Sequence, residues 1–306
     1  MKISFCCTDT PSDPWLAALR AALPQAQVEL WSPGAAQADY AVVWAPPQQF
    51  FEEQPALKAI FTIGAGVDAL LKLRLPPQAA LVRLEDAGMA VQMAEYVSHA
   101  VLRHFRAFDV YEAEARSGQW LQQRTPRHAD FPVGVLGLGA LGARVAQTLT
   151  QFDFPVHGWS RTPKTLTGVN SYAGADQLHD FLAATRILVC LLPLTDETRD
   201  ILNRDTLSRL QPGGYVINVA RGAHVVDEDL IALLDSGHLA GATLDVFRTE
   251  PLPAQHAFWQ HPKITLTPHI SARTLLAQSV AQISEKLLAL QRGESVAGQV
   301  NLKEGY

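Results

Sequence analysis

The segment Pro132-Val-Gly-Val-Leu-Gly137-Leu138-Gly139-Ala140-Leu141-Gly142 constrains this chain more than any other, because three glycines at fixed spacing join an apolar run to a helical pattern. Gly137 suits a tight turn and Gly139 leaves the backbone open to a pyrophosphate. Gly142 allows the following helix to pack closely on its strand. Leu138, Ala140 and Leu141 complete the loop and the first helical turn, where unpaired N–H groups face an anion. The spacing alone is a weak sign, since glycines also end strands for conformational reasons. Here an apolar strand precedes it, and Arg144-Val-Ala-Gln-Thr-Leu follows at helical spacing. The segment therefore predicts a dinucleotide site.

The end of the next strand speaks to which dinucleotide. An acidic residue about 20 positions on would bind the adenosine ribose. In this chain Val156-His-Gly-Trp159 leads instead to Ser160 and Arg161, with Ser160 falling 18 residues after Gly142. A hydroxyl and a guanidinium can hold a 2′-phosphate that a carboxylate would repel. NADPH is therefore expected as the cofactor, with NADH secondary.

At 306 residues the chain has room for two domains. Its 48% hydrophobic and 18% charged residues are those of a soluble globular protein. A net charge of −5 gives no basic footprint, so nucleic acid is not an expected partner. No stretch reads as a signal peptide or membrane span. Cys6, Cys7 and Cys190 lie in apolar runs without metal-ligand spacing and read as core residues, which implies a cytoplasmic setting and no metal.

Short apolar runs bounded by Gly, Pro or Asp predict buried parallel strands at Ile3–Cys7, Val28–Trp31, Tyr40–Trp44, Ala59–Ile63 and Leu81–Leu84. A second series is expected at Val133–Leu136, Val156–Trp159, Ile187–Leu192, Tyr215–Val219, Ala242–Val246 and Ile264–Thr267. Between them a single amphipathic pattern runs from about Met93 to Arg116, with Ala94, Val97, Val101, Phe105 and Phe108 on one face. The chain after His269 reads as helical from about Thr274 to Gln291, able to return to the first unit and make it discontinuous.

Three of these strands end in chemistry. Tyr215-Val-Ile-Asn-Val-Ala220 meets Arg221-Gly222, Ala242-Thr-Leu-Asp245-Val-Phe247 leads to Glu250-Pro251, and Ile264-Thr-Leu-Thr-Pro268 ends at His269. Residues just past the carboxyl ends of parallel strands collect at the ligand crevice. Arg221 can grip a carboxylate and polarise the adjacent carbonyl. His269 can exchange a proton with the developing alkoxide, and Glu250 can favour the charged imidazole. Asp245 is placed to accept from a nicotinamide carboxamide. This set suits reduction of a 2-keto acid.

These motifs together resemble the D-isomer-specific 2-hydroxyacid dehydrogenase family: Gly137-Leu-Gly-Ala-Leu-Gly142, Asn218-Val-Ala-Arg221-Gly222, Leu244-Asp-Val-Phe-Arg-Thr-Glu250-Pro251 and Thr267-Pro-His269. Trp159-Ser-Arg-Thr162, Arg221-Gly-Ala-His-Val-Val226, Glu250-Pro-Leu-Pro253, Phe258-Trp-Gln-His-Pro262 and Gly298-Gln-Val extend the likeness over essentially the whole chain. The resemblance implies an α/β fold of two doubly wound parallel-sheet domains. A Rossmann cofactor domain, 93–269, would be inserted in a flavodoxin-like substrate domain, 1–92 and 270–306. It implies catalytic Arg221, Glu250 and His269, and NADPH-dependent reduction of glyoxylate to glycolate and hydroxypyruvate to D-glycerate. Besides the glycine loop, Ser160, Arg161 and Asp245, it places Leu192, Pro193 and Ala220 at the cofactor. It assigns the substrate carboxylate to Ala65 and Gly66 in Ile63-Gly-Ala-Gly-Val-Asp68 together with Arg221, with Trp44 limiting substrate size. Met89 and Met93 would line the nicotinamide side or simply pack. The resemblance also implies a homodimer, for which Val97–Gln119 offers an apolar face.

Two alternatives stay open on the sequence. The same machinery serves other 2-hydroxy acids, phenylpyruvate-like or phosphoglycerate, and Lys72 and Arg74 lie just past the first-domain glycine turn. The same architecture also serves corepressor-like proteins that sense the cofactor and bind partner peptides.

Overall fold

The computed structural model describes residues 1–302, 304 and 305. The chain divides into two compact units, Met1–Met89 with Thr274–Tyr306, and Ala90–Arg273. These divisions fall three and four positions from the expected 92/93 and 269/270; residues 303 and 306 of the expected first domain lie outside the described set.

In the first unit, β1 (Lys2–Cys7), β2 (Gln27–Leu30), β3 (Tyr40–Trp44), β4 (Ala59–Thr62) and β5 (Ala80–Val82) form one sheet in the order β2-β1-β3-β4-β5. Its paired strands are all parallel. Every residue of β4 is buried, as expected of a strand covered on both faces. The helix Leu276–Gln291 packs beside the helix Ser12–Ala22 of this unit. Beyond it, Gln299 forms an antiparallel bridge with Val82, and the Val300 N–H donates to the Leu81 carbonyl at 2.9 Å.

The second unit carries β6 (Val133–Leu136), β7 (Val156–Ser160), β8 (Val169–Ala173), β9 (Ile187–Cys190), β10 (Gly214–Asn218), β11 (Leu239–Leu244) and β12 (Ile264–Leu266). Their order is β12-β11-β10-β9-β6-β7-β8, with parallel pairing throughout. Order reverses between β6 and β9, the switch point where open α/β sheets bind ligands. Strand β8 has no counterpart among the expected strands. Its side chains are half-buried or exposed, so this edge strand lacks the apolar run that marks the others.

Register fixes the sheet's carboxyl edge. Leu136 pairs with Cys190, Cys190 with Asn218, Asn218 with Leu244, and Leu244 with Leu266. The first four of these are at most 1% exposed. One row, buried in four strands and half-buried in β12, thus crosses five strands, and the chain leaves the sheet just beyond it each time. Burying such an aliphatic side chain contributes about 1.5–3 kcal/mol, so slippage of one strand against its neighbour is costly.

The helix expected from Met93 to Arg116 is two helices, Met89–Phe105 and Phe108–Arg116. Ala107 between them has φ +51°, a left-handed conformation that ends the first helix. The predicted face consequently splits. Val97, Val101 and Phe105 are buried in the core of the second unit with Val133, Val135 and Ile217, whereas Phe108 is 43% exposed. Met93 belongs to the same core, which favours packing as its role. The N-terminal half of the apolar face expected at a dimer contact is therefore already used inside the unit. Within 97–119 the exposed large apolar residues are Phe108 and Val110, with Trp120 and Leu121 exposed just beyond it.

His104 sits on the buried side of the first of these helices, its ring stacked on Tyr215 at a centroid distance of 4.1 Å and edge-on to Phe131. Its Nε2 is buried without a hydrogen-bond partner in the protein. Burial pushes its pKa down to about 4, against the attraction of Asp109 and with a smaller push from Arg186. The folded value lies below the unfolded one, so the stability linked to this group is complete above about pH 6.5 and is lost as pH falls toward 4. The shift corresponds to a loss on the order of 3 kcal/mol. His104→Phe, which keeps a ring on Tyr215, is expected to remove this component. Urea unfolding at pH 7.5 and 4.5 should show the stability gap between the variant and wild type changing by roughly 2–3 kcal/mol in the variant's favour.

Candidate active site

The glycine loop leaves β6 at the switch point with each glycine in a distinct setting. Gly137 has φ +109°, and a Cβ there would lie 2.8 Å from the Leu191 carbonyl oxygen. A Cβ on Gly142 would collide with the Gly137 carbonyl oxygen, so the helix Ala140–Thr150 starts in direct contact with the turn. Gly139, at its N-cap, faces open space. Gly139 and Ala140 are exposed, Leu141 is half-buried, and the Leu138 side chain is buried against Gly158. Tight backbone on two sides and an open cap on the third form a cradle that fits a pyrophosphate.

At the end of β7, Ser160 is buried and its hydroxyl donates to the Thr162 carbonyl at 2.8 Å, while Arg161 is exposed. The serine therefore braces its own loop. Beyond β9, Leu192 is buried and Pro193 half-buried. The Pro193 carbonyl accepts from Thr198 Oγ1 at 2.6 Å and faces His224 Nε2 at 3.3 Å.

The turn after β10 is organised by Asn218, which is wholly buried. Its Nδ2 donates to the Arg221 carbonyl at 2.9 Å and its Oδ1 accepts from the Ala220 N–H at 3.2 Å. Ala220 is itself buried. A Cβ on Gly222 would overlap the Phe247 and Arg248 backbone. This close approach brings the half-buried Arg221 alongside the Glu250 loop, whose carboxylate feels the arginine's charge. His224, also wholly buried, reaches back with Nδ1 to the Arg221 carbonyl at 3.1 Å.

Glu250 and His269 meet: His269 Nδ1 lies 2.8 Å from Glu250 Oε2, while Oε1 accepts from the Phe247 N–H at 2.9 Å. Partial burial pushes the Glu250 pKa up. The His269 hydrogen bond, the Phe247 amide and the charges of His269 and Arg221 outweigh it, holding the carboxyl below its ordinary range. An ionised carboxylate only accepts, so Nδ1 carries the shared hydrogen and Nε2 is the ring atom left to exchange a proton. Both side chains remain partly exposed, His269 at 46% and Glu250 at 36%.

Asp245 follows β11 at the same sheet edge. It is wholly buried, and its carboxylate accepts from Thr267 Oγ1, the Ile270 N–H and the Ser271 N–H. The residue anchors the His269 turn.

In the first unit, Trp44 ends β3 and its indole covers Gly64, occupying the space a side chain there would need. Ala65 and Gly66 follow, half-buried. Sequence reading missed Asn218, His224 and Thr267 as organising residues. Asn218 ends an apolar strand, Thr267 directly follows one, and His224 closes the short helical turn after Arg221, polar side chains in otherwise apolar surroundings, which is the sign that could have singled them out. Among the described residues, no group of three or more His, Cys, Asp or Glu could hold a metal, and no helix is long and apolar enough to cross a membrane.

The D-isomer specific 2-hydroxyacid dehydrogenase, NAD binding domain, model matches residues 98–271. The chain is 48% identical over 302 residues to the glyoxylate/hydroxypyruvate reductase A of Serratia proteamaculans, covering 96% of both. It is 46% identical over 299 residues to the protein of that name from Photorhabdus laumondii, covering 95% of this chain and 96% of the relative. Among solved structures it is similar to a D-isomer specific 2-hydroxyacid dehydrogenase from Xanthobacter autotrophicus in complex with NADPH and MES. That match has a TM-score of 0.95 and 41% identity over 100% of this chain and 99% of the other. The NADPH-dependent glyoxylate/hydroxypyruvate reductase of Sinorhizobium meliloti, in complex with NADP and sulfate, matches with a TM-score of 0.94 and 34% identity over the same shares. This chain therefore belongs to the D-isomer specific 2-hydroxyacid dehydrogenase family.

Gly222→Ala tests the close approach. Forcing a methyl group into packed backbone is expected to cost about 1–3 kcal/mol of stability in urea unfolding. Displacing Arg221 from the Glu250 loop should lower reductase kcat/KM about 100-fold or more, given that misplacement near 1 Å can cost that much.

Proposed function

We propose that this protein is an NADPH-dependent reductase of small 2-keto acids, converting glyoxylate to glycolate and hydroxypyruvate to D-glycerate. The observation that carries the reading is the His269–Glu250 pair at 2.8 Å, beside Arg221 and on the sheet edge that holds the glycine cradle. The reductases to which the chain is nearly half identical carry both substrates in their name, and similar structures hold NADPH or NADP.

A nicotinamide cofactor, when bound, supplies the hydride that adds to the substrate's carbonyl carbon. The Gly137–Gly142 loop and the N-terminus of the helix Ala140–Thr150 hold the pyrophosphate. Leu192, Pro193 and Ala220 lie beyond two adjacent strands and bound the cofactor at the switch point. Ser160 and Arg161 receive the 2′-phosphate once the serine hydroxyl turns from Thr162. Arg221 pairs with the substrate carboxylate and polarises the neighbouring carbonyl through fixed, paired donors. His269 delivers its Nε2 proton to the carbonyl oxygen as charge builds there. Glu250, still ionised, stabilises the imidazolium before transfer and keeps Nε2 pointed outward. In the first unit, the backbone amides of Ala65 and Gly66 are assigned to a carboxylate, and the Trp44 indole over Gly64 favours a small acyl group. A homodimer and a cytoplasmic setting complete the reading.

Steady-state oxidation of NADPH and NADH against glyoxylate, hydroxypyruvate, pyruvate and phenylpyruvate tests it. Turnover is expected with NADPH and the two small acids named first, and His269→Gln should cut it by about 10²–10⁴-fold while NADPH still binds. Turnover only with bulky acids would replace the substrate assignment, and cofactor binding without any turnover would sink the enzymatic one. The double variant Ser160→Asp, Arg161→Ala should shift preference toward NADH, seen in the ratio of kcat/KM for the two cofactors.

A further inference from the structure

Beneath His269 runs a chain of hydroxyl groups that the reaction does not touch. Tyr96, on the helix Met89–Phe105, is hydrogen-bonded through its phenol oxygen to Thr267 Oγ1. Thr267 Oγ1 in turn donates to Asp245 Oδ1 at 2.6 Å. Asp245 Oδ1 also accepts the Ile270 N–H, and its Oδ2 the Ser271 N–H, each at 2.8 Å. A threonine hydroxyl has a single proton. Because Thr267 spends it on Asp245, the Tyr96 O–H must be the donor in the first bond, and the chain has one direction: Tyr96 to Thr267 to Asp245.

What this chain fastens is strained. His269 has φ +54°, left-handed backbone that costs a non-glycine residue on the order of 1 kcal/mol and persists only where its surroundings over-determine it. The fastening points bracket it: Thr267 on one side, Ile270 and Ser271 on the other, all on one carboxylate. The His269 N–H itself donates to the Asp245 carbonyl at 2.8 Å. We infer that Tyr96 is a positioning residue for His269, completing through Thr267 and Asp245 the clamp that holds the histidine turn in its strained shape. Successive hydroxyl bonds polarise one another, so the outermost donor strengthens the inner ones. Burial pushes the Tyr96 pKa up to about 12, which keeps the phenol a donor throughout the working pH range.

The inference rests on His269 being the proton donor, and its test separates the two ideas. Tyr96→Phe deletes one hydroxyl and keeps the ring. It is expected to lower kcat about five-fold, the share of one hydrogen bond, with NADPH affinity unchanged by fluorescence titration. Thr267→Val should do at least as much and Thr267→Ser should restore kcat. Tyr96→Phe placed in the Thr267→Val background should add nothing, since the chain is already cut. The second readout needs no turnover: the His269 Cε1–H resonance, assigned by its absence in His269→Gln, should move in Tyr96→Phe and Thr267→Val and stay in Thr267→Ser. An unmoved resonance in Tyr96→Phe, or additive effects in the double variant, would overturn the inference. Should no 2-keto acid be reduced at all, the resonance still decides it, and only the functional reading falls.

Discussion

The row Leu136, Cys190, Asn218, Leu244, Leu266 is the constraint from which the second unit's chemistry follows. Parallel pairing lets five strands end level, and the glycine loop, the arginine turn and the histidine turn of the second unit each begin within a few residues of that line. The glycine loop follows Leu136, the Leu192–Pro193 turn follows Cys190, Arg221 follows Asn218, Asp245 follows Leu244, and Thr267 follows Leu266. An antiparallel sheet would send alternate strand ends to opposite edges. A slip of one residue in β10 or β12 would move Arg221 or His269 by more than 3 Å along its strand and exchange its buried face for its other one.

Closeness along that edge is completed by missing side chains as much as by present ones. Gly142 lets a helix touch the turn before it, and Gly222 lets the arginine turn touch the Phe247–Arg248 backbone. Around these contacts the polar groups that shape the turns, Asn218, His224 and Asp245, are wholly buried and hydrogen-bond to the backbone of their own unit, Asp245 taking the Thr267 hydroxyl as well. The catalytic candidates differ: Glu250 and His269 are partly exposed and hydrogen-bonded to each other. Burial is thus concentrated in the residues that shape the turns, and exposure in the catalytic candidates.

Much of this was legible in the sequence because it is carried by local patterns. Buried parallel strands read as apolar runs, and the glycine spacing reports a turn geometry directly. The Arg221, Glu250 and His269 set could be picked out because each follows such a run. What escaped has physical reasons. Strand β8 is an edge whose Val169-Asn-Ser-Tyr-Ala sequence has no apolar run. The break at Ala107 is a left-handed residue without a glycine to announce it, so two helices looked like one. Asp245 carries the right chemistry for a ligand contact, and only the three-dimensional positions of Thr267, Ile270 and Ser271 reveal where its oxygens are engaged. Tyr96 precedes its partner Thr267 by 171 residues, a separation no pattern reading bridges.

The first unit is assembled from both ends of the chain, and this orders its biogenesis. A ribosome delivers residues 90–273 as one uninterrupted stretch, so the second unit can collapse as soon as it has emerged. The first unit's sheet is synthesised earlier, yet the helix Leu276–Gln291 and the Val82–Gln299 bridge reach it only after the whole second unit has been made. During that interval the face of the helix Ser12–Ala22 that will meet Leu276–Gln291 is uncovered, and β5 lacks the partner it will find in Gln299. The part of the protein made first is the part completed last, and its apolar surface has to be kept from other chains for the time it takes to translate about two-thirds of the sequence.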